Sequence, residues 1–392
     1  MVINLINCRL KYEMEKLSMA FYPYEKFEVH ELSSESASDG FQDASGGSED
    51  ASDAGLKEDG IITILYQEKA PLQKVTVRVC RDGREARREE EATLSAFSQE
   101  ELAGRVLYRA LSALTGLTPP WGILTGVRPS KLMTKLLAEE GEAEAKSRFE
   151  DDFLVSKEKA ELALRVSKAE EKIIATSGRN SYSLYLSIPF CPNRCSYCSF
   201  VSHSIAFPGA RKLLPIYVEQ LQRELEETGS LVKNSTLSLE SVYIGGGTPS
   251  SLSAEQITAV LDTVRASFDL SHLREFTFEA GRPDTMHQDK WRALKQGGVT
   301  RVSINPQTMT DSILASVGRY HTAEDIKHCF REARAHGFCN INMDLIAGLP
   351  GDTPENFSRS LRDVLDLDPE AITVHTLAYK RSSDLIPTEE LF

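Results

Sequence analysis

From about residue 182 onward, short runs of β-forming residues alternate with longer amphipathic helical patterns. Each run is bounded by turn residues, which is typical of a buried strand followed by a loop and a helix. Strands and helices that alternate through right-handed crossovers build a parallel sheet. The pattern therefore predicts an α/β domain whose sheet is closed or partly closed. The predicted strands are residues 183–188, 240–245, 275–280, 301–305, 340–346 and 371–377.

Two of the predicted helices have recognisable first residues. Thr322 and Asp325 have the spacing of a capping box, and Cys329 lies on the apolar face of the helix that follows. We therefore expect Cys329 to fill core space rather than to bind a metal. Thr353 precedes a proline, which favours a second helix start. The residues of this second helix that are expected to face inward are Phe357, Leu361, Val364 and Leu365.

A cysteine triplet follows the first predicted strand. Residues 185–200 read YLSIPFCPNRCSYCSF, so that Cys191, Cys195 and Cys198 form a C-x3-C-x2-C pattern. Three thiolates can hold three irons of a [4Fe–4S] cluster and leave the fourth iron open. A structural zinc site is the weaker alternative, because it usually takes four ligands and the only nearby fourth candidate is His203. With seven cysteines and no secretory segment, a disulfide framework is disfavoured.

Glycines and polar residues recur at the ends of the later strands. The sequence GGGTP, residues 245–249, lacks the features of a Walker A loop or a dinucleotide fingerprint, so a tight turn is one interpretation of it. The other is close approach of the backbone to a ligand, which glycine permits. A charge within an apolar strand is costly unless it is paired or ligand-bound, and Asp344 is open to both interpretations. Glu279 and Gln307 end the third and fourth predicted strands, Arg319 follows in the sequence VGRYH, and Asp344 lies on the fifth predicted strand.

Composition narrows the class of protein. The chain has 392 residues, 41% of them apolar and 26% charged, which is ordinary for globular domains. No apolar run is long enough for a membrane span, and no signal peptide is recognisable, so a cytoplasmic location is expected. Much of the net charge of −13 lies in residues 31–59, which hold nine acidic residues and one lysine. We expect a disordered acidic insert at about 33–56.

The residues before the barrel-like pattern form an extension. Residues 1–92 predict a small α/β unit interrupted by the insert, with paired strands at 61–66 and 74–80 and a turn at 82–83. Residues 98–177 predict helices, and residues 180–392 the strand–helix repeats. Arginines between 78 and 88 are followed at once by three glutamates, which indicates a mixed-charge surface and gives no support for nucleic-acid binding.

Taken together, the motifs resemble the radical S-adenosylmethionine (SAM) superfamily, and within it the oxygen-independent coproporphyrinogen III oxidase/dehydrogenase family. The motifs Y-x-x-I-P-F-C, GGGTP, a Gln-to-Arg block, D-L-I-x-G-L-P-G and T-P-E-x-F occur in order, and an aromatic residue precedes the third cysteine. The segment LTGVRP at 124–129 resembles the extension of the branch often called HemZ. The resemblance implies an α/β fold, a partial (β/α)6 barrel preceded by an α+β and helical extension.

The resemblance also implies the site. It implies a [4Fe–4S] cluster on Cys191, Cys195 and Cys198, and one or two SAM molecules. Tyr185 matches a family tyrosine near SAM and substrate and is the candidate catalytic residue. Phe200 stands where the best-studied oxidases carry a fourth cysteine. The implied SAM-binding set is Tyr185, Phe200, Gly246, Gly247, Thr248, Glu279, Gln307, Arg319, Asp344, Ile346 and Ala378.

The activity implied by the resemblance is a step of heme biosynthesis. Two propionates of coproporphyrinogen III would be oxidatively decarboxylated to vinyl groups, with electrons from a flavodoxin- or ferredoxin-like protein. Two alternatives stay open, a heme chaperone without this activity and a radical SAM enzyme with an unrelated substrate. Family enzymes continue with a C-terminal domain, which we expect the sequence ending at Phe392 to lack. Candidate cations for the tetracarboxylate substrate are Arg194, Arg211, Arg282 and Lys380.

Overall fold

The structure, a computed structural model, describes residues 1–23, 25–33, 59–200, 202–378, 380 and 382–385. The chain divides into two compact units, Met1–Thr176 and Ser177–Phe392. The acidic insert expected at about 33–56 falls almost entirely outside the described residues. None of the helices in the described ranges has the length and apolar character that a membrane span requires.

A mixed five-stranded sheet forms the centre of the first unit. Its strand order is β2-β1-β3-β4-β5, in which β1 pairs in parallel with β2 and β3, and the other pairs are antiparallel. The predicted pairing of residues 61–66 with 74–80 is confirmed, and the predicted turn at 82–83 joins β4 to β5. The strands are β1 (Val2–Ile6), β2 (Glu28–Leu32), β3 (Ile61–Lys69), β4 (Leu72–Arg81) and β5 (Arg84–Thr93).

One face of this sheet is covered by the long second helix. It begins at Ser98 with a capping box to Glu101 and ends at Gly116 in the left-handed conformation. Its apolar residues, among them Leu102, Val106 and Leu111, are buried in the same core as the strands, so the sheet and this helix lie in one unit. The helices of the unit are α1 (Lys11–Met19), α2 (Gln99–Thr115), α3 (Pro129–Glu140), α4 (Glu142–Ser147) and α5 (Lys157–Ile174).

The second unit is a six-stranded, all-parallel sheet curled into a half-barrel, as predicted. Its order, β13-β12-β11-β10-β9-β6, follows the chain, and every predicted strand lies within two residues of the observed one. Two short strands, β7 and β8, pair separately beside it. The strands are β6 (Ser181–Ile188), β7 (Phe190–Cys191), β8 (His203–Ser204), β9 (Ser238–Gly246), β10 (Glu275–Gly281), β11 (Arg301–Gln307), β12 (Ile341–Ala347) and β13 (Ala371–Thr376).

Helices connect these strands and bury one face of the sheet. The capping box of Thr322 and Asp325 is confirmed, and Cys329 is buried in the core as expected. The inward position predicted for Leu365 is wrong, since this last residue of α11 is 54% exposed where the chain leads into the outermost strand. The helices are α6 (Pro208–Val232), α7 (Ala254–Ser267), α8 (Gln288–Gln296), α9 (Asp311–Ser316), α10 (Ala323–Ala335) and α11 (Pro354–Leu365).

Candidate cofactor site at the carboxyl ends of the strands

A cavity of about 810 Å³ lies at the carboxyl ends of the parallel strands. Functional sites of parallel α/β sheets lie at this end, where the loops after successive strands meet. The cavity brings together every residue that the sequence nominates as a cluster or SAM ligand. These are Tyr185, Cys191, Cys195, Cys198, Phe200, Gly246, Gly247, Thr248, Glu279, Gln307, Arg319, Asp344, Ile346 and Ala378.

The loop that carries Cys191, Cys195 and Cys198, called the cysteine loop, is closed at its base by two backbone hydrogen bonds. The amide of His203 donates to Pro189 O at 2.8 Å, and the amide of Ile205 donates to Cys191 O at 2.9 Å. All three thiols of the triplet are free and line the cavity, whereas His203 does not line it. In the part of the chain that the structure describes, no three Cys, His, Asp or Glu residues are placed to ligate a single ion. A cluster takes one thiolate on each of three separate irons, so its three thiols need not converge on a single ion.

The GGGTP turn packs directly against the cysteine loop. The amide of Gly247 donates to Ile188 O at 2.9 Å, and that of Thr248 donates to Phe190 O at 2.7 Å. A Cβ added to Gly247 would lie 2.7 Å from Phe190 O and 2.9 Å from Cys191 Sγ. Glycine is therefore required here by the protein itself, because a side chain would displace the first cysteine.

Glu279 is a half-buried carboxyl that accepts a hydrogen bond from Tyr243, one of two stacked tyrosines. The Tyr243 hydroxyl donates to Glu279 Oε1 at 2.5 Å, and the Tyr243 ring stacks on that of Tyr185 with centroids 5.9 Å apart. Burial raises the pKa of Glu279 above its usual value; the Tyr243 hydroxyl opposes this shift, and the nearby Asp344 carboxylate adds to it. A bound cation would favour the ionised carboxylate at this position.

Asp344 is partly paired with Asn342 of the same strand, and Asn342 connects it to polar side chains of the two neighbouring strands. Asn342 Nδ2 donates to Asp344 Oδ1 at 2.7 Å and to Ser303 Oγ at 3.0 Å. Thr373 Oγ1 in turn donates to Asn342 Oδ1 at 3.0 Å. The network spans β11, β12 and β13 and fixes the carboxylate on the cavity wall.

Two buried polar atoms on the cavity lack a hydrogen-bond partner among the described residues: Gln307 Oε1 and Arg319 Nε. Gln307 also has a φ of +70°, at a register shift between β11 and β12. Arg319 is 4% exposed, and its other nitrogens donate to Tyr197 Oη at 3.1 Å and Asn305 O at 2.7 Å. Buried polar groups without partners are uncommon, and strained backbone is concentrated at functional sites.

These features fit a cluster and an amino-acid-bearing cofactor. Three thiols stand on one wall, and a glycine turn packs against the first of them. The orphaned amide oxygen, the orphaned guanidinium nitrogen and two carboxylates match a ligand with ammonium, carboxylate and hydroxyl groups. The donor set therefore suits a [4Fe–4S] cluster with SAM.

Several lining residues escaped sequence reasoning. Tyr243, Asn305, Asn342 and Thr373 all face the cavity, and Tyr197 contributes its hydroxyl as well as its ring. The signal was present in the strand alternation. Because side chains point to opposite faces in turn, positions 241, 243 and 245 share one face, as do 303, 305 and 307 and also 342, 344 and 346. A polar residue repeated at every second position of a buried parallel strand indicates an inner polar surface.

The candidate substrate cations divide into two groups. Arg194 and Arg282 line the cavity, whereas Arg211 and Lys380 do not. Arg282 is 3% exposed, and it forms two hydrogen bonds to the carboxylate of Asp284 at 3.1 and 2.9 Å. Its charge is already compensated within the fold, which corrects its expected role as a substrate cation. Arg194 is exposed at the cavity wall, where its Nη2 donates to Cys198 O and Ser382 O.

Comparison with known proteins places this geometry in a family. Residues 185–364 match the Radical SAM superfamily. The chain is 37% identical over 295 residues to the oxygen-independent coproporphyrinogen-III oxidase-like protein HemZ of Bacillus subtilis, a match covering 74% of this chain and 58% of that protein. It is 38% identical over 196 residues to the heme chaperone HemW of B. subtilis, covering 50% of each.

Among solved structures, coproporphyrinogen III oxidase (HemN) from Escherichia coli, titled a radical SAM enzyme, is similar at 27% identity with a TM-score of 0.47. That match covers 57% of this chain and 52% of the other. The chain thus spans about half the length of the curated relatives that it matches.

Proposed function

Because the chain belongs to the radical SAM superfamily, whose members use a [4Fe–4S] cluster and SAM, we propose that it is an oxygen-independent coproporphyrinogen III dehydrogenase. One observation carries the choice of substrate. The similarity to the HemZ protein extends over 295 residues, which is longer than the whole second unit and so includes part of the first. The HemW match of 196 residues is no longer than the second unit.

The proposed cluster ligands are Cys191, Cys195 and Cys198. Three thiolates leave one iron open for the amino-acid part of SAM. When bound, the cluster and SAM supply an electron and a carbon radical able to remove a hydrogen atom from an unactivated carbon. The protein's task is to orient both molecules and to keep water away from the reacting carbon.

The remaining cavity residues bind and orient SAM in this proposal. The carboxylate of Glu279 faces the ammonium group, and the guanidinium of Arg319 binds the carboxylate. Gln307 Oε1 and Asp344 accept hydrogen bonds from the ribose and amino groups, which gives the orphaned oxygen of Gln307 a partner. Apolar contacts to adenine come from Ile346, while Phe200 and Ala378 line the position of a second SAM.

At the mouth of the cavity, Tyr185 and Arg194 are the residues proposed to meet the substrate. Tyr185 is 60% exposed, and its ring is held by stacking on Tyr243. The exposed guanidinium of Arg194 is suited to a propionate, because a planar fork of donors matches a carboxylate. These two side chains would present one propionate to the radical position.

The proposed reaction converts two propionates of the substrate to vinyl groups, one in each cycle. Each propionate, –CH2–CH2–COO⁻, would lose one hydrogen atom to a 5′-deoxyadenosyl group, which one-electron cleavage of the C5′–S bond of SAM would supply with release of methionine, so that 5′-deoxyadenosine would be formed. The resulting substrate radical then loses CO2 and passes one electron to an external one-electron acceptor, leaving –CH=CH2. A second cycle on a second propionate gives protoporphyrinogen IX.

The test is an anaerobic assay of the reconstituted protein with SAM, a reductant, a one-electron acceptor and coproporphyrinogen III. We expect one 5′-deoxyadenosine for each vinyl group formed, and neither product from Cys195→Ala. Formation of 5′-deoxyadenosine with no loss of porphyrinogen would reject this substrate while leaving the superfamily assignment intact.

A heme chaperone is the second candidate, and the similarity to HemW over half of the chain is the observation that favours it. In this function the protein binds heme in a one-to-one complex and forms no porphyrin product. Titration of the reconstituted protein with heme, followed by its absorption spectrum and by product analysis of the same sample, separates the two candidates.

A further inference from the structure

The cysteine loop is hydrogen-bonded to the segment Val317–His321, which precedes α10. The amide of Ser196 donates to Val317 O at 3.2 Å. The side-chain amide of Asn193 donates to Gly318 O at 2.6 Å. Arg319 reaches the loop through the Tyr197 hydroxyl. Three successive residues of this segment therefore contact the loop that carries the cysteine triplet.

A second connection reaches the same loop from the end of β10. Arg282 Nη1 donates to Asn193 Oδ1 at 2.5 Å, so both ends of this one amide are engaged. The other side of Arg282 is held by two hydrogen bonds to the carboxylate of Asp284. Asp284 Oδ1 lies 3.3 Å from Nδ1 of His321, a close contact without hydrogen-bond geometry, and neither ring nitrogen of His321 has a hydrogen-bond partner among the described residues. The connection thus runs from the loop to β10 and back to the segment that carries Arg319. We call Asn193, Arg282, Asp284 and His321 the loop brace.

Two members of the loop brace are buried, whereas Asn193 is half-buried and Asp284 is exposed. Arg282 and His321 are 3% and 4% exposed. A buried charge is tolerated only when its partners are well placed, and breaking such a set leaves an uncompensated charge. The buried arginine therefore fixes the position of the Asn193 amide, which lies between the first two cysteines. No atom of the proposed cofactors is required for this arrangement.

We propose that the loop brace is a positioning network, which holds the cysteine loop in the shape that receives the cluster and in register with Arg319. The proposal rests on Cys191, Cys195 and Cys198 being the cluster ligands. It assigns to Arg282 a role distinct from substrate binding. Groups that orient metal ligands without touching the metal change metal affinity by about 10- to 100-fold when they are removed.

The test compares brace variants with matched controls elsewhere in the chain. Arg282→Ala is paired with Arg105→Ala, since Arg105 is also a buried arginine bound to a carboxylate, Glu90 at 3.0 Å, but lies in the first unit. Asn193→Ala is paired with Asn180→Ala, whose amide only contacts Thr236 Oγ1 at 3.4 Å. Three quantities are measured: the rate of iron loss to a ferrous chelator, the electron paramagnetic resonance spectrum of the reduced cluster with and without SAM, and the Tm of the iron-free protein.

We expect Asn193→Ala and Arg282→Ala each to lose iron about tenfold faster than the wild type and to weaken the spectral change on SAM addition. The double variant should lose iron no faster than the faster single variant, because both residues act through the same amide. Asn193→Ala should keep a Tm close to that of Asn180→Ala, so that the test stands even if Arg282→Ala folds poorly. Both control variants should retain iron as the wild type does.

Two results would overturn the proposal. One is iron loss from Asn193→Ala at the rate of Asn180→Ala; the other is a double variant whose effect is the product of the two single effects. A Cys195→Ala sample measured in parallel distinguishes failure of the loop-brace proposal from failure of the proposed set of cluster ligands. If Cys195→Ala loses its iron while the brace variants keep theirs, only the brace is rejected. If Cys195→Ala retains the cluster, the ligand set is wrong and the brace falls with it.

Discussion

The hydroxyl of Tyr243 donates a hydrogen bond to Oε1 of Glu279 at 2.5 Å, deep in the wall of the half-barrel. The carboxyl sits where burial favours its neutral form, and the tyrosine is a donor that favours the charged form. The Asp344 carboxylate and the Arg301 guanidinium also act on it, with opposite signs. The protonation of Glu279 therefore depends on whether a cation occupies the cavity.

This balance predicts a pH dependence of stability for the cofactor-free protein. Because the pKa of Glu279 in the fold lies above the usual value of 4.5, the stabilisation by its neutral form is complete below that pH. It is lost as the pH rises through the elevated pKa, so the contribution of Glu279 to the free energy of unfolding should decrease over this interval. Urea denaturation across this pH range should show a flatter profile for Glu279→Gln than for the wild type.

Tyr243→Phe provides the converse variant. Removing the donor should raise the pKa of Glu279 further and move the loss of stability to higher pH. Parallel pH profiles for the wild type and Glu279→Gln would show that the carboxyl does not titrate differently in the fold.

The seven cysteines should separate cleanly into two classes on substitution by alanine. Each of Cys191→Ala, Cys195→Ala and Cys198→Ala should abolish cluster assembly, because two thiolates cannot hold three irons. Cys329→Ala should keep the iron and lose about 1 kcal/mol of stability, since a small buried side chain is trimmed. Cys339 is exposed, so its substitution should change stability by less than about 0.5 kcal/mol.

Iron and sulfide analysis after anaerobic reconstitution measures the first class, and urea denaturation measures the second. Retention of the cluster by Cys195→Ala together with its loss from Cys329→Ala would reject the proposed ligand set.

Gly247→Ala should prevent cluster assembly although the substitution adds a single methyl group. The new Cβ would lie 2.7 Å from Phe190 O and 2.9 Å from Cys191 Sγ, so the base of the cysteine loop would have to move. Gly209→Ala is the matched control, because its Cβ would meet no atom within 4 Å in the first turn of α6. Visible absorption of the reconstituted proteins should show a cluster only in the control. Equal cluster content in Gly247→Ala and Gly209→Ala would mean that the GGGTP turn accommodates the added methyl group without disturbing the cysteine loop.

Gln307→Met should make the cofactor-free protein more stable and SAM binding weaker. The substitution removes a buried amide oxygen that lacks a partner among the described residues, and such a group costs about 1–3 kcal/mol. Urea denaturation should show the gain, and calorimetric titration of the cluster-loaded protein should show the loss of SAM affinity. A variant that is less stable and binds SAM normally would contradict the assignment of this residue to the cofactor.

The strands and the cavity residues were accessible from sequence for a physical reason. Buried parallel strands are short apolar runs, and the residue that ends each run points to the common edge of the sheet. This pattern predicts Glu279 and Gln307 at strand ends, whereas their grouping with Asp344 into one SAM-binding set was implied by the resemblance to a family. The motif order then tied them to a family whose cofactors are known.

The predictions that failed depend on contacts between segments that lie far apart in the sequence. Arg282 was expected to meet the substrate, because an arginine after a strand is by itself indistinguishable from a free one. Its partner Asn193 is 89 residues away in sequence. Leu365 has the helical spacing of a core residue, yet it lies at the end of α11, where the sheet ends. Neither the contact between Arg282 and Asn193 nor the end of the sheet beside Leu365 can be read from the helical or strand repeat of the local sequence.

The sheet of the second unit is an arc rather than a ring. In the part of the chain described, β6 and β13 each pair on one side only, and the exposed side chains of Tyr185 and His375 stand on these two outermost strands. Eight strands closed on themselves leave an interior just wide enough for side chains. Six strands curl around a cavity of about 810 Å³ here, and Tyr185 of β6 and His375 of β13 both line it. The curl therefore brings the first and the last strand of the sheet to one shared space, so that a substitution on either edge strand alters the same binding volume.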